Sequence, residues 1–443
     1  MAGKLGVGTF VQESYEGNGD RMLDLFAPVM KEDTMQDGKE IEIFPTGVVT
    51  DTGPYDFVIP SDGNEFTAMP LTRLHGEVEV TKPDGSKVTD TEINACVNLF
   101  PQTLFRQIEL YVNGKQVADL STPSYPYKAF IQTHLGTTDD AKKITYSPEM
   151  WGKDTIEKEN VFIHTGADKC ESFEKRHARL KEGRLYFSMI LHVDFLQCRN
   201  LLMPGVELKL RLVRNDDTFS LLGTTLQTKI KIHKLHLTIR RIKLESAVSV
   251  GFEKTLLTKP AVYPIANSKI KTYTIQSGIQ SERISQIFRG ILPRQIIIGF
   301  VNSKAADGNI DANPFVFEHF DNNYFNGFIN GEPIIPRPFQ PDPTNKNYWR
   351  EYRWFLDNTA CLLSNQTHGI TYKEFYNNSF FYVFDLSPDL CNSFHIHQPM
   401  AGTFDMQVAF KSALTKNITA IIYATFDEKI SIDKDGEVTV EPL

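Results

Sequence analysis

Short strand-like runs separated by tight-turn pairs constrain the fold of this chain more than any other feature of its sequence. From Ile41 onwards, apolar and aromatic runs such as YDFVIP and IELYV alternate with turn residues, roughly every ten positions. Asn-Gly and Asp-Gly pairs tolerate the positive φ that a tight hairpin requires. Such pairs stand, among other places, at Asp84-Gly85, Asn113-Gly114, Asp307-Gly308, Asn330-Gly331 and Asp435-Gly436. The best helical candidates are two short segments, 127–135 and 171–180. Many short strands with few helices predict a β-sandwich or barrel.

Length and composition agree with this prediction. A chain of 443 residues is too long for one ordinary core, so two domains are expected. The aromatic residues comprise 31 Phe and 16 Tyr against 3 Trp, and Phe and Tyr are favoured on pleated, half-buried surfaces. The net charge of −8 argues against a protein whose main role is to coat nucleic acid.

The cysteines and the apolar runs indicate the compartment. The five cysteines are scattered and show no C-x-x-C spacing, which predicts free thiols in a reducing environment; they are Cys96, Cys170, Cys198, Cys361 and Cys391. The opening MAGKLGVGTF lacks a continuous apolar segment, so no signal peptide is expected. The apolar runs are also too short to predict a transmembrane segment.

An internal repeat predicts how the chain is divided. YVNGKQV at 111–117 and FINGEPI at 328–334 share an apolar pair, Asn-Gly and a following strand. IELYV after FRQ and IIIGFV after PRQ suggest a second matching pair. We therefore predict an N-terminal arm at 1–40, one domain at 41–245 and a second at 246–443. The strand at 229–244 precedes the boundary, with bulges expected at His233-Lys234 and Arg240-Arg241, and a connector to about residue 265 follows it.

Each candidate for chemistry has a better structural explanation. His395 and His397 lie two apart on one face of a strand, but no third ligand has metal-binding spacing. DKDGE at 433–437 lacks the downstream Glu of a calcium loop and fits a turn between strands. The basic stretches 175–184 and 229–244 are candidates for phosphate contact, yet the second alternates basic with apolar residues, as a solvated sheet face does. We predict no enzyme, no cofactor, no metal and no sequence-specific nucleic-acid binding.

The C-terminal half carries a resemblance to a known family. The segments are, in order, LPRQIIIGFVNS (292–303), NPFVFEHFDNNYFNGFINGEPIIPRPFQPD (313–342), YWREYRWF (348–355), FYVFDLSPDL (381–390) and ITAIIYATFDEKISID (418–433). Their order and spacing resemble the double jelly-roll major capsid proteins of Polinton/Maverick elements and adintoviruses. The N-terminal half is similar more loosely, through GPYDFVIP (53–60), VNLFPQTLFRQIELYVNGKQV (97–117), YPYKAFIQTHLGTT (125–138) and LHVDFLQCRNLLMPGVELKLRL (191–212). Where the family commonly has Asp-Leu after the first strand, this chain reads FTAMPL at 66–71.

The resemblance implies a fold and a function. The fold is two tandem eight-stranded jelly-roll β-sandwiches with a few short helices in loops. The function is that of a major capsid protein whose homotrimers form pseudo-hexagonal capsomers and tile an icosahedral shell around a double-stranded DNA genome. Implied partners are further copies of the chain, a single jelly-roll penton protein and minor capsid proteins. The implied location is the virion capsid, after synthesis in the host cytoplasm and assembly in the nucleus.

Function would then reside in surfaces. We expect the loops 136–190 and 303–330 to form outward towers and contacts between subunits. The aromatic residues assigned to assembly are Tyr324, Phe325, Trp349 and Trp354, because buried aromatic residues surrounded by polar ones are typical of interfaces. The alternative, favoured for Phe315 and Phe317, is that such aromatics fill the sandwich interior. The N-terminal arm is expected at the inner base of the shell, tying capsomers or a minor protein together.

Two other functions remain open. A carbohydrate-binding or glycoside-hydrolase β-sandwich would need a concave sheet lined with exposed Trp or Tyr and a pair of carboxylates. A domesticated cellular copy that no longer assembles would have the same sequence features as an active capsid protein.

Overall fold

The computed structural model describes residues 34–443 except 62, 119–123, 225–227, 360–366, 389 and 391–396. The strands are β1 (Met35–Ile43), β2 (Tyr55–Ile59), β3 (Glu65–Thr81), β4 (Asn94–Cys96), β5 (Phe105–Val112), β6 (Lys115–Ala118), β7 (Arg184–Ile190), β8 (Leu208–Arg214), β9 (Leu221–Gly223), β10 (Lys229–Leu244), β11 (Ala261–Ile275), β12 (Ser281–Ile291), β13 (Gln295–Asn302), β14 (Asn322–Ile329), β15 (Glu332–Pro333), β16 (Phe381–Asp385), β17 (Ala401–Phe410), β18 (Ile418–Ile432) and β19 (Val438–Pro442). The all-β prediction is confirmed.

Short helices lie between the strands. They are α1 (Phe100–Thr103), α2 (Tyr125–Gly136), α3 (Asp139–Thr145), α4 (Glu171–Lys181), α5 (Asp217–Ser220), α6 (Ser246–Leu256), α7 (Ser303–Ala306), α8 (Trp349–Asn358) and α9 (Tyr372–Asn378), with 3₁₀ turns at Ser147–Glu149 and Asp194–Gln197. The two helices predicted from sequence correspond to α2 and α4, to within two residues at each end.

The first half of the chain forms a jelly roll. Setting aside the short β4–β9 ribbon, its eight strands can be lettered B to I in chain order: β1, β2, β3, β5, β6, β7, β8 and β10. One sheet has the order β1-β10-β3-β7, and the other has the order β2-β8-β5-β6. In letters these are BIDG and CHEF, the pairing that two interleaved Greek keys produce.

The second half repeats the same strand order. Its strands B to I are β11, β12, β13, β14, β15, β16, β17 and β18. The sheets are β11-β18-β13-β16 and β12-β17-β14-β15, which again read BIDG and CHEF, with β19 added beside β18. The prediction of two tandem eight-stranded jelly rolls is therefore confirmed.

Of the two pairs of matching segments seen in the sequence, one occupies the same place in both domains and the other does not. Both Asn-Gly hairpins join strand E to strand F, with Val112 opposite Lys115 in the first and Ile329 opposite Glu332 in the second. The second matching pair is wrong, because IELYV lies in strand E of the first domain and IIIGFV in strand D of the second. A three-residue lead-in of similar composition does not identify a strand's place in the topology.

One of the two bulges predicted in β10 lies where it was expected. Against β3 the register shifts between Ile232 and Lys234, so His233 is the extra residue, as expected. The second shift falls between Thr238 and Arg240, where one residue of β10 is unmatched but four of β3 are, because the partners jump from Arg73 to Ala68. Which of the two paired strands contains the extra residues depends on both strands, so the sequence of β10 alone does not predict it.

The ends of the domains differ from the expected bounds in detail. β1 begins at Met35 and pairs with β10, so residues from 35 onwards are already part of the first sheet. The connector contains an ordered helix, α6, whose side-chain cap is the Glu245 carboxylate accepting from the Ala247 amide. The first core also receives Ile430 and Ile432 from the end of strand I of the second domain. The two halves are thus packed together as well as joined in sequence.

Candidate assembly surfaces and the joint between the jelly rolls

Aromatic side chains from both halves form the centre of the joint between the jelly rolls. Phe130 on α2 stacks on Phe315, with ring centroids 4.4 Å apart and planes 7° apart. Tyr127, one turn earlier, meets Phe315 and Phe317 edge-on at 5.9 and 6.3 Å. All four belong to one buried cluster that continues into the second sandwich. The joint is therefore a true core, because well-oriented aromatic pairs add to the free energy of simple burial.

A buried lysine adds a polar lock to this joint. Lys142, on α3 of the first jelly roll, is fully buried. Its ammonium donates to the backbone oxygen of His134 at 2.5 Å and to that of His368, in the second jelly roll, at 2.7 Å. Beside it, the half-buried Lys153 pairs with the Glu374 carboxylate at 3.0 Å. These charged hydrogen bonds fix the two domains in one orientation, because separating them would leave buried groups unpaired.

A second polar contact lies at the other side of α2. The Asp194 carboxylate accepts from the Lys128 ammonium at 2.6 Å and from the Ser268 amide at 2.8 Å. The Gln132 side chain donates to the hydroxyl of Tyr423, on strand I of the second jelly roll, at 3.1 Å. Asp194 thus binds one residue from each half of the chain, and its two oxygens are held by both domains.

Three histidines in this region are held neutral. Burial lowers the pKa of His368 to about 3, and the nearby Lys142 and Lys153 ammonium groups lower it further in the same direction. Burial, with a smaller effect of Lys128, lowers the pKa of His192 to about 3. Burial and then Lys142 keep the pKa of His134 well below its ordinary value. The joint therefore contains imidazoles that resist protonation.

An exposed aromatic surface lies on α8 and α9, whose buried faces are part of the same cluster as the joint. Trp349 is 61% exposed and stacks on Tyr372, with centroids 3.7 Å apart and planes 2° apart. Tyr352 meets both rings edge-on, and Tyr376 meets Tyr372. We call Trp349, Tyr352, Tyr372 and Tyr376 the α8–α9 aromatic surface.

The four residues assigned to assembly from the sequence are not brought together as one exposed patch. Phe325 is fully buried and stacks on Tyr382 at 3.8 Å, so its ring fills the second sandwich rather than facing another chain. Tyr324 is half-buried on the same strand. The Trp354 indole is partly buried and donates to the backbone oxygen of Val383 at 2.7 Å. Trp349 alone of the four is largely exposed.

The loops expected to form outward towers also contribute residues to the core. In 136–190, Tyr146, Trp151 and Phe173 are buried members of the cluster at the joint. In 303–330, Phe315 and Phe317 are buried, as the alternative interpretation predicted, but they pack against α2 of the first jelly roll. The sequence shows where aromatic residues are, but it does not distinguish a surface between chains from a surface between domains. For that reason the helix α2 was predicted but its place at the joint was not.

The other candidates are located as follows. DKDGE forms the turn between β18 and β19, where the Asp433 carboxylate accepts from the amides of Asp435 and Glu437. The basic stretch at 229–244 is β10, whose residues alternate between buried and solvent-facing positions as predicted. The thiols of Cys96, Cys170 and Cys198 are free and buried. Cys361, Cys391 and His395 lie outside the described residues. Among the described residues, no helix is long and apolar enough to cross a membrane.

The tryptophans do not support a glycan-binding sheet. Trp151 is buried in a loop, and Trp349 and Trp354 are on α8. None of them lies on a strand, whereas the carbohydrate alternative needs exposed rings along a concave sheet.

No protein-family model matches the chain. An uncharacterized Caenorhabditis elegans protein, F54H12.2, is 19% identical over 396 residues, which cover 86% of this chain and 91% of that protein.

Solved structures match over nearly the whole chain. A chain of the Sputnik virophage has a TM-score of 0.65 at 12% identity, covering 95% of this chain and 91% of its own. The PBCV-1 virus capsid gives 0.56 at 12% identity, with 94% and 98% covered. The mavirus major capsid protein gives 0.55 at 8% identity, with 97% and 94% covered.

These likenesses define a class of fold. The chain has the double jelly-roll fold of viral capsid proteins, along its whole described length. The mavirus and Faustovirus proteins with this fold are major capsid proteins.

Proposed function

We propose that this chain is a major capsid protein that trimerises into pseudo-hexagonal capsomers. The observation that carries the proposal is the joint, in which Phe130, Phe315 and the buried Lys142 hold two jelly rolls of the same strand order as one body. Three such bodies present six similar sandwiches around one axis. Because each pair is already fixed within a chain, trimer formation orders three bodies rather than six, which lowers its entropic cost.

The mass and shape of the purified chain test this proposal. Light scattering should give three times the chain mass of 50.4 kDa, and negative-stain microscopy should show pseudo-hexagonal particles. A monomer at every concentration would contradict a shell-building role and would favour the non-assembling cellular copy, an alternative that the similarity to an animal protein keeps open.

We assign the contact between subunits to the α8–α9 aromatic surface, with Trp349 at its centre. Exposed tryptophan stacked on tyrosine is the composition of an interface hot spot. Trp349→Ala should weaken the trimer at least tenfold, measured by analytical ultracentrifugation. The matched control is Tyr186→Ala, since Tyr186 is 69% exposed on a sheet face with salt bridges around it. Equal effects of the two variants would argue against this assignment.

The N-terminal arm, predicted at 1–40, has its own proposed role, which belongs to the residues before β1; of these, 1–33 lie outside the described part of the chain. It lies at the inner base of the shell and ties neighbouring capsomers or a minor protein together. Deleting residues 1–25 should leave the trimer intact and impair shell assembly. Complete shells from the deletion variant would refute the role.

The finer identity rests on the sequence resemblance. We place the chain with the Polinton/Maverick and adintovirus capsid proteins, around a double-stranded DNA genome, with a penton protein and minor capsid proteins as partners. Synthesis in the host cytoplasm and assembly in the nucleus follow from that placement. We also place the division between the domains within the segment that contains α6, with the first jelly roll ending near residue 245. The ordered motifs from 292 to 433 support the lineage, and co-purification of a penton protein with particles would test it.

A further inference from the structure

We propose that Asp90, His164 and His177 bind one divalent transition-metal ion of the zinc class. Their ligand atoms all lie within 4.8 Å of one another. Asp90 is in the loop between strands D and E of the first jelly roll, His164 is in the loop before α4, and His177 is on α4. The cluster lies outside the joint and outside the α8–α9 aromatic surface.

The hydrogen bonding of the His177 ring suits a metal ligand. His177 is 2% exposed, and its Nδ1 donates to the backbone oxygen of Asn94 at 2.7 Å. In the neutral ring, a proton on Nδ1 leaves the lone pair on Nε2, which faces the cluster. This buried Nε2 has no hydrogen-bond partner, and the nearest Asp90 oxygen is 3.6 Å away. A histidine whose other nitrogen is held by a backbone carbonyl is the usual arrangement of a metal ligand.

The other two ligands are placed to close around an ion. The rings of His164 and His177 have centroids 4.4 Å apart. Tetrahedral zinc with bonds of 2.0–2.2 Å brings its ligand atoms to about 3.4 Å from one another. The Asp90 to His177 distance is already close to that value. His164 is half-exposed and Asp90 is exposed, so both can move inwards by the remaining ångström.

Lys181 competes with the ion for the Asp90 carboxylate. The Lys181 ammonium, one turn after His177 on α4, lies 2.6 Å from the Asp90 Oδ1. An ion bound by the three residues would share or displace this contact, so removing the lysine charge should strengthen metal binding. A purely structural salt bridge makes no such prediction.

The donor set selects the metal. Two imidazoles and one carboxylate suit zinc, cobalt or nickel, whereas calcium and magnesium prefer oxygen ligands. Three protein ligands leave a fourth position for water at the exposed edge. The ion would join the D–E loop to α4, and Phe173 of α4 is part of the joint cluster. The metal would therefore hold one edge of the segment 124–183, which supports the joint.

Zinc and cobalt(II) titrations of the untagged, chelator-stripped full chain test the proposal. Isothermal titration should show one ion per chain, and cobalt should give the visible absorption of a tetrahedral site. His164→Ala and Asp90→Asn should weaken binding at least tenfold, because even second-shell changes cost 10–100-fold. Lys181→Gln should bind several-fold more tightly. His233→Ala is the matched control, because His233 is not one of the three ligands and its Nε2 already pairs with Glu79 at 2.9 Å. It should leave binding unchanged.

Circular dichroism confirms that each variant is folded before it is titrated. The proposal is overturned if the wild-type chain takes up no zinc at one ion per chain. It is equally overturned if folded His164→Ala and Asp90→Asn both bind zinc within twofold of the wild type. Since trimer formation is measured separately, either result leaves the proposed capsid function standing.

Discussion

The two jelly rolls share one strand order but use the insertion between strands F and G differently. In the first domain, the insertion at 124–183 places α2 inside the molecule, with Tyr127 and Phe130 buried against the second domain. In the second domain, the corresponding insertion carries α8 and α9, and Trp349 on α8 faces solvent. The sheets are thus the common frame. The first insertion is buried at the joint, whereas the second meets the joint through His368 and Glu374 and also presents an exposed aromatic surface. Strand order is fixed by backbone pairing, so the loops are free to specialise.

The largest expected effect comes from the centre of the joint. Phe130→Ala should lower the free energy of unfolding by about 3–5 kcal/mol, because it leaves a cavity between stacked rings. Trp349→Ala, the matched aromatic change on the exposed insertion, should change the stability of the dissociated monomer by no more than about 0.5 kcal/mol. Urea denaturation followed by fluorescence measures both. Similar losses in the two variants would remove the distinction between the insertions.

The polar lock should give the next largest effect. Lys142→Met keeps the length of the side chain but leaves the backbone oxygens of His134 and His368 without their donor, at a cost of about 1–3 kcal/mol. The neighbouring Lys143→Met is the control, because Lys143 is 59% exposed and pairs only at the surface with Asp139. The same denaturation experiment applies, and a larger loss in the Lys143 variant would contradict the lock.

Acid should weaken the joint through His368. Its folded pKa of about 3 is below the unfolded value near 6.5, so between these values the unfolded state binds the extra proton and stability falls as pH falls. From pH 6.5 to 5 the free energy of unfolding of the wild type should fall by about 2 kcal/mol more than that of His368→Gln. The two proteins are compared because burial raises the pKa of Glu149 to about 7, so its protonation stabilises the folded state as the pH falls. This opposite effect is common to both proteins and cancels in the difference. A difference that stays constant from pH 7 to 5 would refute this.

The two hairpin glycines should contribute equally to the stability of their domains. Gly114 and Gly331 occupy the same place in the two E–F hairpins, with φ of 79° and 87°, and a Cβ at either would meet no neighbour within 4 Å. Each Gly→Ala change should therefore cost about 1 kcal/mol, from backbone conformation alone. Thermal unfolding of the two variants checks this. Unequal losses would show that the hairpins are not equivalent.

Much of the fold could be predicted from local patterns. The Asn-Gly pairs indicated both E–F hairpins, and the alternation in 229–244 indicated β10, because these signals depend on neighbouring residues alone. The assignment of Phe325 to an assembly surface was wrong because the sequence does not say which neighbour covers an aromatic ring. The His164 and His177 pair was missed for a similar reason. Asp90 is 74 residues before His164 in the chain, and only the folded D–E loop brings it to them.

The sequence by itself determined the strand-rich character, the duplicated hairpin and the family resemblance, since backbone propensity, turn chemistry and ordered motifs are local properties of the chain. The tertiary structure decided which aromatic residues join the two jelly rolls and which face outwards. It also decided where a buried lysine meets its carbonyl partners and where two histidines meet an aspartate. These outcomes depend on packing between segments far apart in the sequence, and burial there is set by the partner surface as much as by the residue itself.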